Sequence, residues 1–301
     1  MQNPEFKCCI IIGAGPAGMT AALYLNRFHR EVTVLDAGCS RARWIPKTHN
    51  CPGFPDGLSG DELLERMRLQ AENYGTRVIP ETASQIQRVE GGFSVSDTRG
   101  GQYLGRTVLL ATGAEDILPP DPWVAKAVGC GALRLCAICD GFEASDDNIA
   151  VYGPLRSVFD HASFMRTYSA SVTLVQSDTE QVDAQLCQSA EKWGITLMKK
   201  PRNLLFDGSR CGFSDASGTR RDFDTIYVML GSRSQAALAI ELGAHVDKEK
   251  KLVVNTDQMT SIDGLFAIGD VVSALSQLSV AAGHAAVAAT AIHNMLPRNL
   301  R

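Results

Sequence analysis

Cys136 and Cys139 stand three positions apart in the stretch Cys136-Ala137-Ile138-Cys139-Asp140-Gly141, almost midway along 301 residues. Two thiols at that spacing, on a turn or a first helical turn, can close a disulfide, and one of them can have its pKa drawn toward neutrality. Such a pair is a reversible store of two electrons. What it does depends on what feeds or drains it. The other cysteines, Cys8, Cys9, Cys39, Cys51, Cys130, Cys187 and Cys211, are scattered through apolar or mixed segments and are expected to be inert core thiols. An odd total of nine argues against a disulfide-stapled secreted fold and for a reducing cytoplasm. His284 and His293 lie nine apart on a predicted helix and share no adjacent turn, so no metal site is expected.

A second group of residues points to a nucleotide. Residues 8–12 form an apolar run bounded by glycine, the pattern of a parallel strand buried on both faces. Gly13-Ala14-Gly15-Pro16-Ala17-Gly18 follows. In that fingerprint the first glycine permits a tight turn, the second lets the backbone approach a pyrophosphate, and the third lets the helix at 17–28 pack on the strand. The helix N-terminus would face the phosphates. A strand at 31–35 then ends in Asp36, placed to bind a ribose hydroxyl. Strand, glycines, helix, strand and terminal acid together predict dinucleotide binding.

These groups need elements to position them. Asn50-Cys51-Pro52-Gly53-Phe54-Pro55 must be a loop, because two prolines and a glycine break any helix. Ser59 is a candidate N-cap for a helix running to Tyr74. Residues 77–80, 93–97 and 102–111 predict a small β meander ending in Ala111-Thr112-Gly113. Pro119, Pro120 and Pro122 mark a connector. Beyond the dithiol, a strand at 148–152, Gly153-Pro154-Leu155, a helix to about 168 and a strand at 171–175 repeat the βαβ pattern of the N-terminus. The repeat departs from the fingerprint: Leu155 replaces the second glycine, where its side chain would obstruct a pyrophosphate, and Asp178 would repel a 2′-phosphate. NADPH is therefore disfavoured and NADH poorly supported. The alternative is a degenerate domain kept for packing or for presenting the dithiol. Buried strands at 224–230 and 264–268, the latter closed by Gly269-Asp270, and an alanine-rich helix at 279–295 complete the chain.

The expected fold is α/β, with two Rossmann-like (three-layer ββα) nucleotide-binding domains, the second inserted in the first. Residues 1–116 and 245–301 would form one domain, and 117–244 the insert carrying Cys136 and Cys139. A net charge of −4 offers no basic field for nucleic acid or an anionic membrane. The most membrane-like segment, 280–295, falls short of the roughly 20 residues a span needs. A soluble protein is expected, with neither partner.

Together these features give a resemblance to the low-molecular-weight thioredoxin reductases over nearly the whole length. It rests on Gly13 to Gly18, Asn50 with Pro52-Gly53, Ala111-Thr112-Gly113, the dithiol motif and Phe266-Ala267-Ile268-Gly269-Asp270. The resemblance implies an FAD-dependent disulfide oxidoreductase acting on a thioredoxin-like protein or small disulfide, cytoplasmic and homodimeric. It implies that Cys139 faces the flavin, Cys136 attacks the substrate, and Asp140 is the acid/base partner. FAD would be held by Gly13, Gly15, Pro16, Ala17, Gly18, Asp36, Asn50, Ala111, Thr112, Gly113, Gly269 and Asp270, with Gln277, Leu278 and Ser279 beside the ring. Cys51 lies in a loop that the resemblance brings near the flavin, so it is the one free thiol to watch. The family's His-Arg-Arg run for NADPH is replaced by Gln176-Ser177-Asp178, and the near-flavin segment Ser276-Gln277-Leu278 lacks the usual arginine. The chain thus looks similar to branches fed by a ferredoxin-like protein or holding a second FAD in the inserted domain. A dithiol oxidase passing electrons to oxygen, and a non-catalytic flavin redox sensor, are the alternatives.

Overall fold

Alternation along one strand explains the first core. In Lys7–Ile12, Cys9 and Ile11 point to one face and Ile10 and Ile12 to the other, and all four are buried. The computed structural model describes residues 6–215, 217–272 and 275–300. These divide into two compact units, the first comprising residues up to 43, 59–115 and 233 onward, the second 44–58 and 116–232.

In the first unit the strands Arg77–Ile79, Val32–Leu35, Lys7–Ile12, Gln102–Leu110 and Leu265–Ala267 pair in parallel in that order. Ala83–Val89 and Gly92–Asp97 add an antiparallel meander on the start of Gln102–Leu110. One face carries the helices Pro16–Arg27 and Leu278–Met295, whose small residues Ala17, Ala21, Ala281, Ala285 and Ala288 sit in the buried cluster with Ile11 and Phe266. Ser59 caps the helix Gly60–Glu72 by accepting from the Glu62 N–H at 3.2 Å, as its position predicts.

The second unit repeats the plan. Its parallel strands run Ile195–Met198, Val172–Gln176, Ile149–Gly153, Thr225–Val228 and Leu133–Arg134. Ile149 and Val151 face the helix Leu155–Met165, while Ala150 lies with Phe213 and Phe223 on the side of a three-stranded antiparallel sheet. Each unit is therefore a Rossmann-like α/β layer structure.

Two boundaries differ from those expected. Residues 233–244 belong to the first unit because Ala236, Ala239 and Ala244 pack with Ile10, Ile12 and Leu35. Residues 44–58 group with the second unit, where Trp44 packs on the cluster of Val124, Phe213 and Phe223. Among the described residues, no helix is long and apolar enough to cross a membrane.

Candidate active site

Cys136 and Cys139 form a disulfide with their Cα atoms 5.3 Å apart. Cys136 is the extended residue that opens a single helical turn, Ala137–Asp140, and the Cys139 N–H donates to the Cys136 carbonyl at 3.0 Å. Gly141 must lack a side chain: a Cβ there would lie 2.6 Å from both the Ala137 carbonyl and the Tyr168 ring. The motif's glycine thus seats the redox turn directly on Tyr168.

Asp140 ends this turn and is gripped from below. The Tyr227 hydroxyl lies 3.0 Å from its Oδ1 and 3.1 Å from its carbonyl oxygen. Arg134 Nη1 donates to the same carbonyl at 2.7 Å and lies 3.9 Å from Oδ2. Burial raises the Asp140 carboxyl above the usual carboxylate range, with Arg134 and Tyr227 pulling the other way and Glu143 adding to the rise. A carboxyl in that setting holds a proton more readily than a free one. Arg134 and Tyr227 escaped the sequence reading, although a tyrosine in an apolar, buried strand is itself a sign that its hydroxyl has a partner.

The glycine fingerprint of the first unit is built by close contacts. A Cβ on Gly13, whose φ is +106°, would lie 2.4 Å from the Ala111 carbonyl, and one on Gly18 would lie 1.9 Å from the Gly13 carbonyl. Gly15 is different. It has an ordinary extended backbone and only the Ser40 hydroxyl, at 3.2 Å, near its missing Cβ. Pro16 opens the helix, and no side chain among the described residues caps it. The Ala14 N–H donates to Asp36 Oδ1 at 3.2 Å, which ties the acid at the end of the second strand to the glycine loop. Thr112 donates to the Gln235 carbonyl at 2.7 Å, and Gly113 has a φ of +69° with open space where a Cβ would be. Gly269, with φ at +72°, has its Cβ position 3.1 Å from Ala17 and 4.0 Å from Ala281. Asp270 accepts from Arg41 Nη1 at 2.8 Å, another partner the sequence did not reveal. The Nδ1 atom of His284 is buried without a partner among the described residues, and burial lowers that histidine's pKa while Asp270 opposes the shift. Gln277 precedes the helix that begins at Leu278 and Ser279. Asn50 accepts from the Thr48 hydroxyl at 3.1 Å, within the segment that groups with the second unit.

The second unit carries the same joint with one substitution in its logic. Gly153 matches Gly13: its Cβ would lie 2.4 Å from the Met229 carbonyl, and Met229 N–H donates to Tyr152 as Ala111 N–H donates to Ile12, both at 2.8 Å. Leu155, expected to block a pyrophosphate with its side chain, instead buries that side chain in the core with Val158 and Ala162. The helix starts at Leu155, two residues after its first glycine, where the first unit's starts three after. That shift turns the leucine inward. A carboxylate takes the exposed end: Asp178 Oδ2 accepts the Leu155 N–H at 3.0 Å, and its Oδ1 accepts from Gln176 at 2.7 Å. These bonds, led by that from Gln176, hold Asp178 below the usual carboxylate range. Arg156 is in turn paired with Glu180.

A family profile of pyridine nucleotide-disulphide oxidoreductases matches residues 7–288, and the chain belongs to that family. It is thioredoxin reductase-like. The thioredoxin reductase of Streptomyces coelicolor is 34% identical over 174 residues, covering 57% of this chain and 54% of that protein, about half its length. That of Aquifex aeolicus is 28% identical over 309 aligned positions, covering 98% and 95%. The crystal structure of HlmI superposes with a TM-score of 0.89 at 26% identity, covering 98% of this chain and 93% of that one.

Proposed function

We propose that this protein is an FAD-dependent disulfide oxidoreductase in which electrons pass between a flavin held by the first unit and the Cys136–Cys139 pair, and on to a protein or small disulfide. The observation that carries the reading is the formed disulfide with a half-buried carboxyl, raised by burial above its usual range, directly after it. The first unit suits FAD: a helix N-terminus with no side-chain cap among the described residues, behind a glycine that only the Ser40 hydroxyl approaches, the Asp36 carboxylate at the loop, and a buried His284 nitrogen near Asp270 with no partner among the described residues. Gly13, Gly15, Pro16, Ala17, Gly18, Ala111, Thr112, Gly113 and Gly269 would line it, with Gln277, Leu278 and Ser279 toward the ring. Bound flavin supplies two-electron exchange with the thiol pair. On reduction the pair gains two electrons and two protons. Cys136 as thiolate then attacks a substrate disulfide and expels one substrate thiol, and Cys139 attacks the mixed disulfide, expelling the second and restoring the Cys136–Cys139 bond. Asp140 supplies and takes back the proton at the leaving sulfur.

The donor in this proposal is not NADPH. Asp178 supplies the helix N-terminus of the second unit with the anion that a pyrophosphate would otherwise provide, and its charge repels another. The same carboxylate weighs against a second FAD there, so an electron-carrier protein of ferredoxin type is the favoured donor. It favours one further reading equally: the reverse direction, a small dithiol oxidised at the pair and electrons passed to oxygen. Anaerobic addition of NADPH and, separately, of a dithiol to the flavin-loaded protein tests this. Bleaching of the flavin by dithiol and not by NADPH is expected. Rapid bleaching by NADPH would remove the donor assignment, and hydrogen peroxide released in air with each dithiol consumed would select the oxidase direction.

A further inference from the structure

Arg134 and Tyr227 are register partners on the adjacent parallel strands Leu133–Arg134 and Thr225–Val228, so their side chains leave the sheet on the same face. Both end on Asp140. Resting on the proposed role of Asp140 as proton partner of the dithiol, we propose that Arg134 and Tyr227 are positioning residues that hold Asp140 in both its protonation states and set the pH at which it exchanges its proton with the cysteines.

The hydrogen-bond inventory supports a two-state grip. A tyrosine hydroxyl has one hydrogen to give and can also accept. With the carboxyl ionised, Tyr227 donates to Oδ1, 3.0 Å away, and the Asp140 carbonyl keeps its bond from Arg134 at 2.7 Å. With the carboxyl protonated, its O–H donates to the Tyr227 oxygen, and Tyr227 turns its own hydrogen to the carbonyl at 3.1 Å. Both states keep Oδ1, the Tyr227 hydroxyl and the Asp140 carbonyl hydrogen-bonded, and the carboxyl need not move when the proton passes. Arg134 fixes the turn through the carbonyl and offers its positive charge to Oδ2 at 3.9 Å. Among the described residues, the other charged group acting on Asp140 is Glu143 on the following turn, and Tyr168 packs beneath Gly141. Tyr227 is wholly buried, so nothing in solvent can replace its hydroxyl.

The test uses the reduced full-length protein and follows the rate at which iodoacetamide alkylates Cys136 and Cys139, peptide by peptide, from about pH 5 to about pH 9. Asp140→Asn, Tyr227→Phe, Arg134→Gln and Arg134→Lys are compared with the parent, each checked for an unchanged circular dichroism spectrum. The parent profile should contain a step that Asp140→Asn removes. Tyr227→Phe and Arg134→Gln should each move that step to higher pH by about half a unit or more, roughly threefold in rate at fixed pH, because each loses a group that favours the ionised carboxyl. Arg134→Lys should recover most of the Arg134→Gln shift. Should Asp140→Asn alter the profile while Tyr227→Phe and Arg134→Gln overlay the parent, the positioning role is wrong. An Asp140→Asn profile that overlays the parent removes the acid/base reading itself, and the grip with it.

Discussion

The two later glycines of the fingerprint make opposite predictions, and their contrast separates folding from ligand approach. Gly15 has φ −69° and ψ −177°, a conformation open to any L-residue, and an added Cβ would meet only the Ser40 hydroxyl at 3.2 Å. Gly15→Ala should therefore leave the flavin-free protein within about 1 kcal/mol of the parent, since alanine's restriction of the unfolded chain offsets the poorer N-cap and the tight contact with Ser40. Gly18→Ala places a Cβ 1.9 Å from the Gly13 carbonyl, a backbone atom that cannot yield without moving the strand, and should cost about 1–3 kcal/mol or more. For the cofactor the order reverses in meaning. If the pyrophosphate approaches the backbone at Gly15, one methyl there displaces it from the helix N–H groups, and one charge-assisted hydrogen bond lost, about 1.5–3 kcal/mol, weakens flavin binding roughly 10- to 100-fold. Urea melts of the apoproteins and flavin titrations of each variant give both quantities. A Gly15→Ala protein that binds flavin as tightly as the parent would refute the placement of the phosphates, and a fully stable Gly18→Ala protein would refute the packing argument.

Three further outcomes are expected. Cys139→Ser should retain flavin yet lose multiple turnover with any disulfide, since the mixed disulfide has no resolving thiol; steady-state assay beside flavin content measures it. Asp178→Ala should lower the Tm by about 2–4 °C at neutral pH through loss of the bond to Leu155. Because the folded carboxyl titrates below its unfolded value, its contribution is present above about pH 4 and fades as pH falls through the folded value, so the Tm gap between parent and variant should close on acidification; a gap that persists at low pH would contradict this. Burial pushes Cys9 and Cys211 up to about 12, and in the native protein both should resist alkylation at pH 8 while the exposed Cys39, Cys130 and Cys187 react, as peptide mass mapping will show.

How much of this was legible in the chain follows from the range over which each feature is encoded. The fingerprint, its flanking strands and the dithiol are contiguous, and each residue's role depends on neighbours a few positions away, so type and spacing sufficed for both Rossmann-like units and for the disulfide. Leu155 shows the limit. Its position implied a side chain in the phosphate path, but where the helix begins decides which way that side chain points, and a one-residue shift sent it into the core. The electrostatic half of the same expectation, a repelling Asp178, rests on a carboxylate that the fold brings to the helix end rather than leaving in solvent. The small antiparallel sheet of Asn203–Phe206, Cys211–Ser214 and Arg220–Phe223 went unread because its strands are short and mixed in polarity, stabilised by pairing rather than by any pattern of their own.

Arg134 and Tyr227 mark a different boundary. Tyr227 signals a polar partner by standing in an apolar strand but does not say which, and Arg134, six residues before Asp140, is one of many arginines in a mixed segment. They meet because the strands that carry them pair in parallel, and parallel neighbours are separated by long crossovers, so their register is a property of the completed sheet. A reacting group can be named from a motif, whereas what holds it in place depends on a strand 87 residues further on, without which the nearby Arg134 has no partner in the grip. This is why the cysteines were visible at once and the residues gripping Asp140 beside them were not. It also follows that altering Tyr227 tests something the motif cannot encode: a dithiol with every motif residue intact should still exchange its protons at a different pH once its support from the neighbouring strand is removed.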